Sequence, residues 1–231
     1  MSTPNFRFKQ FTIWHDKCAM KVGTDGVLLG AWTPLPNTAH RTPYTILDVG
    51  TGSGLVARML MQRCPEAEVE GIDIDEAAVE QARENGVKAS CARLQEWQGG
   101  PYNLIVSNPP YFQNSLKNPD KGRELARHTD SLSYEELIAH SVRQLAEDGQ
   151  LALILPAEAE TAIREFATQH RLFLTHITRV FSKENKPVRR VLMSFQLSAI
   201  SIQPIEDTLV LEDEKGGRSA AYSELCKEFY L

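Results

Sequence analysis

The tetrapeptide Asn108-Pro109-Pro110-Tyr111 has the residue types of a receptor for a flat amino group. It follows the apolar run Leu104-Ile105-Val106, which predicts a buried strand. Two consecutive prolines must end that strand, because proline lacks an N–H and forces the preceding residue toward extended geometry. The side-chain oxygen of Asn108 and the carbonyl of Pro109 can then accept both hydrogens of a planar NH2 group, and Tyr111 offers a flat face to the ring that bears it. A strand followed by an ordinary proline turn is the alternative interpretation.

A glycine-rich turn upstream has the composition of a cofactor site. The run Gly50-Thr51-Gly52-Ser53-Gly54 follows a predicted strand that carries Asp48 and precedes a helical pattern. Glycines are needed where the backbone itself approaches a ligand, and the start of a helix supplies free N–H groups. The spacing Gly-x-Gly-x-Gly differs from the Gly-x-Gly-x-x-Gly of dinucleotide sites and favours a cofactor without a diphosphate. Asp73 ends the next strand, close to the ~20-residue spacing at which a carboxylate contacts a ribose.

These residues require a sheet that brings strand ends together. Periodicity and turn residues predict strands at 45–49, 69–73, 87–92, 104–106 and 149–155, with helices after the first, second, fourth and fifth. An antiparallel hairpin is predicted from 172–181 and 188–197, followed by an edge strand at 208–211 and a closing helix at 222–230. This order predicts an α/β fold, with a doubly wound, mainly parallel sheet and a C-terminal antiparallel hairpin. Its ligand crevice is expected at the carboxyl ends of the strands.

Local signals predict where three helices begin. Thr24 or Asp25 is the predicted N-cap of a short helix, and Asp75 is the predicted N-cap of the helix after the second strand. Ser133 and Glu136 have the spacing of a capping box. The polar stretch before it, 112–132, is longer than ordinary connections, so it is either a mobile substrate lid or disordered.

Composition limits the classes of function. The 231 residues are 42% hydrophobic and 24% charged, which is ordinary for a soluble globular protein with a single core. A net charge of -5 argues against a surface that attracts nucleic acid everywhere. Basic residues nevertheless cluster at 179–190 and again at 117–127. We interpret Lys183, Lys186, Arg189 and Arg190 of the first cluster as candidate contacts to RNA phosphates.

Other features argue against metal, disulfide and membrane roles. The four cysteines are far apart without a Cys-x-x-Cys pair, which argues against a zinc site or disulfide framework. The first nine residues contain no apolar segment, and no run approaches the ~18 apolar residues of a membrane span. We therefore expect a cytoplasmic protein with no metal, no membrane association and no obligate protein partner.

The motifs Asp48-Val-Gly-Thr-Gly-Ser-Gly54, Ile72-Asp73 and Asn108-Pro-Pro-Tyr111 resemble those of class I S-adenosylmethionine-dependent methyltransferases, over roughly residues 20–197. In that family Asn-Pro-Pro-Tyr marks enzymes that methylate an exocyclic or amide nitrogen. The opening segments 8–11 and 20–32 resemble more specifically the bacterial tRNA(Val) adenine-N6 methyltransferases. That resemblance implies methylation of the exocyclic N6 of adenine 37, immediately 3′ of the anticodon, in tRNA(Val).

The resemblance also implies an organisation of the chain and a set of site residues. It divides the single compact chain into a methyltransferase domain at 41–231 and an N-terminal extension at 1–40 that contributes to the cofactor and substrate site. The implied catalytic residues are Asn108, Pro109 and Tyr111. The implied contacts to S-adenosylmethionine are Lys21, Thr24, Asp48, Gly50, Gly52, Asp73, Leu94 and Asn108. Relatives often carry an acidic residue near the position of Arg93, so the backbone at Leu94 is the expected contact to the cofactor's adenine here.

Several alternatives are compatible with parts of this pattern. The same site could methylate N2 of a guanine in rRNA or a protein glutamine, although a glutamine enzyme would bring a separate helical N-terminal domain, and only about 40 residues precede the first βα strand. A scaffold that binds S-adenosylmethionine or RNA without catalysis would keep the fold but has no need of the acceptor residues. An NAD-dependent oxidoreductase is disfavoured by the glycine spacing.

Overall fold

The computed structural model describes residues 3–35, 44–110, 132–197 and 203–231. The strands are β1 (Asn5–Arg7), β2 (Thr12–Trp14), β3 (Thr45–Val49), β4 (Glu68–Asp73), β5 (Lys88–Cys91), β6 (Tyr102–Ser107), β7 (Leu145–Pro156), β8 (Phe173–Phe181), β9 (Val188–Gln196) and β10 (Ile205–Val210). The α-helices are α1 (Thr24–Trp32), α2 (Leu55–Arg63), α3 (Glu76–Glu84), α4 (Tyr134–Gln144), α5 (Glu160–Gln169) and α6 (Ala220–Leu225). A 3-10 turn at Ala157–Ala159 precedes α5.

The central sheet has eight strands in the order β10-β8-β9-β7-β6-β3-β4-β5. Strands β7, β6, β3, β4 and β5 are mutually parallel, whereas β9 is antiparallel to both β7 and β8. β8 and β9 form the predicted hairpin, and β10 pairs in parallel with β8 at the edge of the sheet. The predicted fold class, a mainly parallel α/β sheet with a C-terminal antiparallel hairpin, is confirmed.

Alternation along the strands builds a core on each face of this sheet. Ile46 packs in the cluster that contains α1, α2 and α3, whereas its neighbour Leu47 packs in the cluster that contains α4 and α5. In β6, Leu104 and Ile105 divide between the same two clusters. Successive strand residues point to opposite faces, so a strand that is apolar throughout must be covered on both sides. The strands therefore cannot slide, and their carboxyl ends are fixed relative to one another.

Two glycines bring α1 into direct contact with α2. A Cβ atom on Gly26 would lie 2.9 Å from Leu55 Cδ2, and one on Gly30 would lie 2.7 Å from Met59 Sδ. Residues four apart share a helix face, so both glycines face α2 and leave room for its side chains. Close packing of α1 brings the chain that precedes it up to the carboxyl edge of the sheet.

The N-terminal segment forms a two-stranded hairpin, β1–β2, that the sequence did not predict. Asn85, at the end of α3, holds this hairpin by accepting a hydrogen bond from Trp14 N (2.9 Å) and donating one to Trp14 O (2.7 Å). On the other side, Lys9 N donates to Phe229 O (2.9 Å), and the Phe8 and Tyr230 rings stack with centroids 6.1 Å apart. The hairpin is thus fixed between α3 and the C-terminal end of the chain.

Two of the predicted helix caps are confirmed and one is wrong. Asp75 accepts from Ala77 N (3.0 Å), and Ser133 and Glu136 form the capping box. The N-cap of α1 is Gly23 rather than Thr24 or Asp25, and it has no side-chain cap. The Asp25 side chain forms an ion pair with a distant strand instead, which a local signal cannot reveal.

Element boundaries differ where tertiary contacts end an element early or extend it. β7 begins at Leu145, four residues before the predicted start at 149. It follows directly on α4, which ends at Gln144. The closing helix ends at Leu225, not at 230, because the following residues pack against the N-terminal hairpin. Tyr111 and all of the stretch 112–132 except Leu132 lie outside the described residues.

Candidate active site

A cavity of about 390 Å³ opens at the carboxyl ends of β3, β4 and β6. Its floor is formed by the last residues of these strands and the residues directly after them, in the ranges 48–53, 72–75 and 107–110. Residues 92–95, after β5, and residues of the segment 18–26, before and within α1, complete the wall. The size is within the ~300–1,000 Å³ of small-molecule sites, and the position is the ligand crevice expected for a doubly wound sheet.

The glycine turn presents bare backbone to this cavity. Gly50 N and Thr51 N both donate to Ile72 O, at 2.9 and 3.0 Å, so the turn is attached to the end of β4. Gly50 and Gly52 have φ of 71° and 55°, and a Cβ atom on either would meet nothing within 4 Å. A side chain here would strain the backbone and project into the open space of the cavity. Glycine at these positions therefore keeps that space available for a ligand.

Asp48 organises the turn from below. The residue is buried, and its Oδ2 accepts from Thr51 Oγ1 (2.8 Å) and from Ala57 N (3.2 Å). Burial raises the pKa of the Asp48 carboxyl to about 7, although both hydrogen bonds favour the ionised form. The side chain thus links the end of β3, the glycine turn and the first turn of α2.

Asp73 is fixed at the end of β4 by backbone donors. Its Oδ2 accepts from Gly52 N (2.9 Å) and its Oδ1 accepts from Asp75 N (3.0 Å). A carboxylate has about four acceptor positions, so these two contacts among the described residues leave two positions for hydroxyl groups. The carboxylate is therefore oriented before any ligand binds, which reduces the entropy lost on binding.

Asn108 leaves the sheet beside the glycine turn. Val49 pairs with Ser107, so the next residues, Gly50 and Asn108, follow adjacent parallel strands on the order of 5 Å apart. Ser107 Oγ donates to Val49 O (2.8 Å) and ties the two strand ends together. Asn108 is half-buried, Pro109 is buried, and both line the cavity. Within the described part of the chain, no hydrogen bond engages the Asn108 side chain.

The wall formed by residues of the segment 18–26 contains one of the two cofactor contacts predicted there. Lys21 lines the cavity, and its Nζ donates to His15 O (2.7 Å). Thr24 begins α1, but the lining residues at this position are Gly23 and Gly26.

Other lining residues were missed by sequence reasoning, among them Cys18 and Met20 on this wall and Ile74 after β4. Met20 and Ile74 are both more than half exposed, which is unusual for large apolar side chains and places them at the mouth of the cavity. Burial raises the pKa of the Cys18 thiol to about 11, so it remains a neutral thiol at physiological pH. No motif marks these positions, and only the direct succession of Ile74 to Asp73 could have indicated one of them.

Leu94 and Arg93 form the side of the cavity after β5. Leu94 is buried and lines the cavity together with Arg93 and Gln95. An apolar side chain at this wall suits the face of a flat ring, and the adjacent backbone offers polar groups to its edge.

The basic residues of the hairpin lie at the same edge of the sheet as Asn108. Pro156, at the carboxyl end of β7, pairs with Arg190 near the start of β9, and β7 runs parallel to β6. Lys186 and Arg189 are exposed at this end of the hairpin. The turn between β8 and β9 therefore lies two strands from β6, roughly 10 Å at the ~4.8 Å spacing of strands.

The other two basic residues are ion-paired. Lys183 Nζ lies 3.3 Å from a carboxylate oxygen of Glu212, and both side chains are about half exposed. Arg190 Nε lies 2.9 Å from Asp25 Oδ2, in the first turn of α1. The Arg190 guanidinium thus connects the hairpin to the helix whose start lines the cavity.

The combined geometry suits transfer of a group to a planar amine. One wall can hold a nucleoside-like ligand between a fixed carboxylate and bare glycine backbone, and the adjacent strand end presents two oxygen acceptors. The part of the chain described by the structure contains no group of three or more His, Cys, Asp or Glu side chains that could bind a metal. In the same residues, no helix combines the length and apolar character needed to cross a membrane.

Comparison with known proteins gives consistent matches. Residues 34–175 match the family described as "Methyltransferase small domain". A tRNA1(Val) (adenine(37)-N6)-methyltransferase of Bacteroides fragilis is 43% identical over 243 residues, covering 100% of this chain and 99% of the relative. One from Bacteroides thetaiotaomicron is 42% identical over 241 residues, with coverage of 100% and 99%. Among solved structures, a predicted O-methyltransferase from Agrobacterium tumefaciens superposes with a TM-score of 0.66 at 17% identity, over 87% of this chain and 95% of that one.

Proposed function

This chain belongs to the tRNA1(Val) (adenine(37)-N6)-methyltransferase family, and from that premise we propose that it methylates N6 of adenine 37 in tRNA1(Val), with S-adenosylmethionine as the methyl donor. The observation that carries the proposal is the position of Asn108 and Pro109, which leave the sheet beside Gly50 at the cavity. A scaffold that only binds S-adenosylmethionine or RNA would not need two acceptors for an amine beside the glycine turn.

The polar and apolar groups that line the cavity fit S-adenosylmethionine. Asp73, with two acceptor positions available, would bind the ribose hydroxyls, and the open space beside Gly50 and Gly52 would take the sulfonium end. Leu94 would pack on the adenine, while its backbone and that of its neighbours meet the ring edge. Lys21 and Thr24 would contribute from the N-terminal extension, 1–40, as part of the same site. Asp48 would contribute indirectly, by holding the glycine turn in position through its hydrogen bonds to Thr51 Oγ1 and Ala57 N.

When bound, S-adenosylmethionine supplies a methyl group on a positively charged sulfur, which is electrophilic without further activation. Asn108 and Pro109 then act on the nucleophile. The N6 lone pair of adenine is delocalised into the ring, so the amine is planar and a poor nucleophile. The Asn108 side-chain oxygen and the Pro109 carbonyl each accept one N6–H, which favours a pyramidal nitrogen whose lone pair can attack. Fixing this geometry can contribute roughly 7–11 kcal/mol to lowering the barrier.

Loss of the amine proton needs no strong base in this arrangement. As the bond between the methyl group and sulfur breaks, the sulfur would become a neutral thioether and the positive charge would pass to the nitrogen. The N–H of that nitrogen would then be acidic, and its proton could leave to water. Asn108 and Pro109 hold both hydrogens until that point. The site therefore needs orientation and acceptors rather than a titrating catalytic group.

Recognition of tRNA is proposed to use the same edge of the sheet. An RNA base must leave its stack to enter a cavity, and Tyr111 would provide the face on which adenine 37 stacks. Lys183, Lys186, Arg189 and Arg190 would supply the positive charge near the phosphates of the anticodon loop. Two strand spacings separate this turn from Asn108, which is within the span of a few nucleotides. A tRNA substrate also implies that the protein acts in the cytoplasm.

The test is to incubate the purified protein with radiolabelled S-adenosylmethionine and bulk tRNA from cells that lack the modification. Digestion and mass spectrometry then identify the labelled nucleoside and its position. We expect N6-methyladenosine at position 37 of tRNA1(Val). Label in N2-methylguanosine, in protein, or at another tRNA position would contradict the assignment, and bulk rRNA and ribosomal protein serve as controls.

A further inference from the structure

A short segment of the N-terminal extension, residues 15–22, forms one wall of the cavity. Cys18, Met20 and Lys21 of this segment line the cavity, although it contains no helix or strand. An irregular segment must be held by specific hydrogen bonds if its side chains are to have fixed positions. His15 stands at its start and Val22 at its end.

His15 makes the contacts that close this segment. The residue is 5% exposed, its Nδ1 lies 3.1 Å from Val22 N, and its Nε2 lies 2.9 Å from Thr3 O. Val22 N can only donate and Thr3 O can only accept, so the ring must be neutral with its proton on Nε2. The backbone oxygen of His15 also accepts from Lys21 Nζ (2.7 Å). One residue thus binds the far end of the segment through both its ring and its carbonyl.

A second anchor holds the middle of the segment. Lys17 N donates to Oε1 of Gln81 (2.9 Å), a fully buried side chain of α3, and Lys17 Nζ pairs with Glu84 (2.7 Å). These contacts position one part of the segment but do not reach Met20 or Lys21. The position of the cavity-lining residues nearest α1 therefore depends on the closure at His15.

We propose that His15 is a positioning residue for the cofactor, which acts by accepting the Val22 N–H and so holds the wall formed by residues 18–21 against the bound ligand. The inference rests on the proposed function, because it takes S-adenosylmethionine as the occupant of the cavity. The acceptor at Nδ1, rather than the imidazole as a whole, is the group that the wall requires.

Two amide substitutions separate the ring's two contacts. In His15→Asn the amide oxygen takes the place of Nδ1 and can still accept from Val22 N. In His15→Gln the amide group takes the place of Nε2, so it can reach Thr3 O but leaves Val22 N without an acceptor. Calorimetric titration with S-adenosylhomocysteine should show affinity within about twofold of wild type for Asn and a loss of about three- to tenfold for Gln, the range expected for one lost hydrogen bond.

Two further measurements distinguish positioning from general instability. At saturating S-adenosylmethionine and tRNA, kcat of both variants should stay within about twofold of wild type, so the Gln defect appears in KM for the cofactor. Hydrogen exchange of the peptide spanning 16–23 should show lost protection of the Val22 amide in the Gln variant only, a result that does not depend on binding. His170→Gln, at the end of α5, is the control and should change none of these values.

Equal losses in the Asn and Gln variants, or no loss in the Gln variant, would overturn the role assigned to Nδ1. Failure of the wild-type protein to bind S-adenosylhomocysteine would instead refute the proposed function, and with it the inference. The two failures are distinguishable because the first is a difference between variants and the second concerns the parent protein.

Discussion

Asn108 combines two properties at the level of a single side chain: it borders the cavity, and none of the described residues occupies its amide oxygen. With respect to these residues, the half-buried acceptor is available to a substrate at no cost in broken contacts. The main cofactor contacts proposed above come from other strand ends, at Gly50 and Asp73. Binding of the cofactor and activation of the amine should therefore be separable by mutation.

Asn108→Ala should lower kcat by about 100-fold or more, by analogy with loss of a single polar group that stabilises a transition state. Affinity for S-adenosylhomocysteine should change by less than about threefold. Steady-state kinetics and calorimetry measure the two effects. Gln169→Ala, which removes an exposed amide at the end of α5, should alter neither. Parallel loss of affinity and activity would contradict the separation of roles.

Asp48 should make stability depend on pH. Burial raises its pKa in the folded protein to about 7 from an ordinary value of 3.8, so between these values the folded state binds more protons than the unfolded state. The free energy of unfolding should therefore decrease as pH rises through this window, by up to about 1.4 kcal/mol per pH unit from this group.

Asp48→Asn removes the titration but keeps an oxygen that can accept from Thr51. Urea denaturation at pH 5, 6 and 7 should show a steeper decrease in the free energy of unfolding for wild type than for the variant. Parallel pH dependence in the two proteins would show that this carboxyl does not titrate in that range.

At the level of elements, the cavity depends on how α1 meets the sheet. Gly26 and Gly30 allow α1 to pack on α2, and the ion pair between Asp25 and Arg190 attaches the start of α1 to β9. Both charged groups are less than one-third exposed, so solvent screens their attraction only in part. The pair should therefore hold the wall that contains Gly23 in place.

Arg190→Ala should weaken S-adenosylhomocysteine binding by about 1.4- to fivefold, corresponding to the ~0.2–1 kcal/mol of a partly exposed pair. Its exposed neighbour supplies a matched control, since Arg189→Ala should leave that affinity unchanged. Exchange of the charges in the double variant D25R/R190D should recover part of the loss seen in D25R. Equal affinities for the Arg189 and Arg190 variants would argue against a link between the hairpin and the cofactor wall.

At the level of the whole molecule, charge is distributed unevenly over an acidic protein. The net charge is -5, yet Lys186 and Arg189 are exposed at the edge of the sheet that carries the cavity. Long-range attraction of tRNA would have to come from such a local region, because the net charge of the chain is negative. Binding should therefore be weak overall and sensitive to salt.

The double variant Lys186→Ala/Arg189→Ala should reduce tRNA affinity without affecting S-adenosylhomocysteine binding. If each side chain contacts one phosphate, the slope of log K against log salt concentration should become shallower by roughly 1.4, at about 0.7 per phosphate on a single strand. Filter binding over a salt series measures this slope. An unchanged slope would place the RNA on another surface.

Local patterns were sufficient for the elements and motifs of the central sheet. Apolar runs such as Leu104-Ile105-Val106 must be buried on both faces, and proline or glycine at their ends has only a few backbone options, so strand ends and turns follow from neighbouring residues. The caps at Asp75 and Ser133 are equally local, since donor and acceptor lie within three residues of one another.

Tertiary structure alone decided the features that depend on distant partners. Insertion of β9 between β7 and β8, the docking of the N-terminal hairpin on Asn85 and Tyr230, and the pairing of Asp25 with Arg190 join residues far apart in the chain. Each such contact depends on shape and charge that the whole fold brings together, whereas periodicity reports only on near neighbours. For the same reason the strand-end motifs could be recognised in the sequence, while His15 and the wall it closes could not.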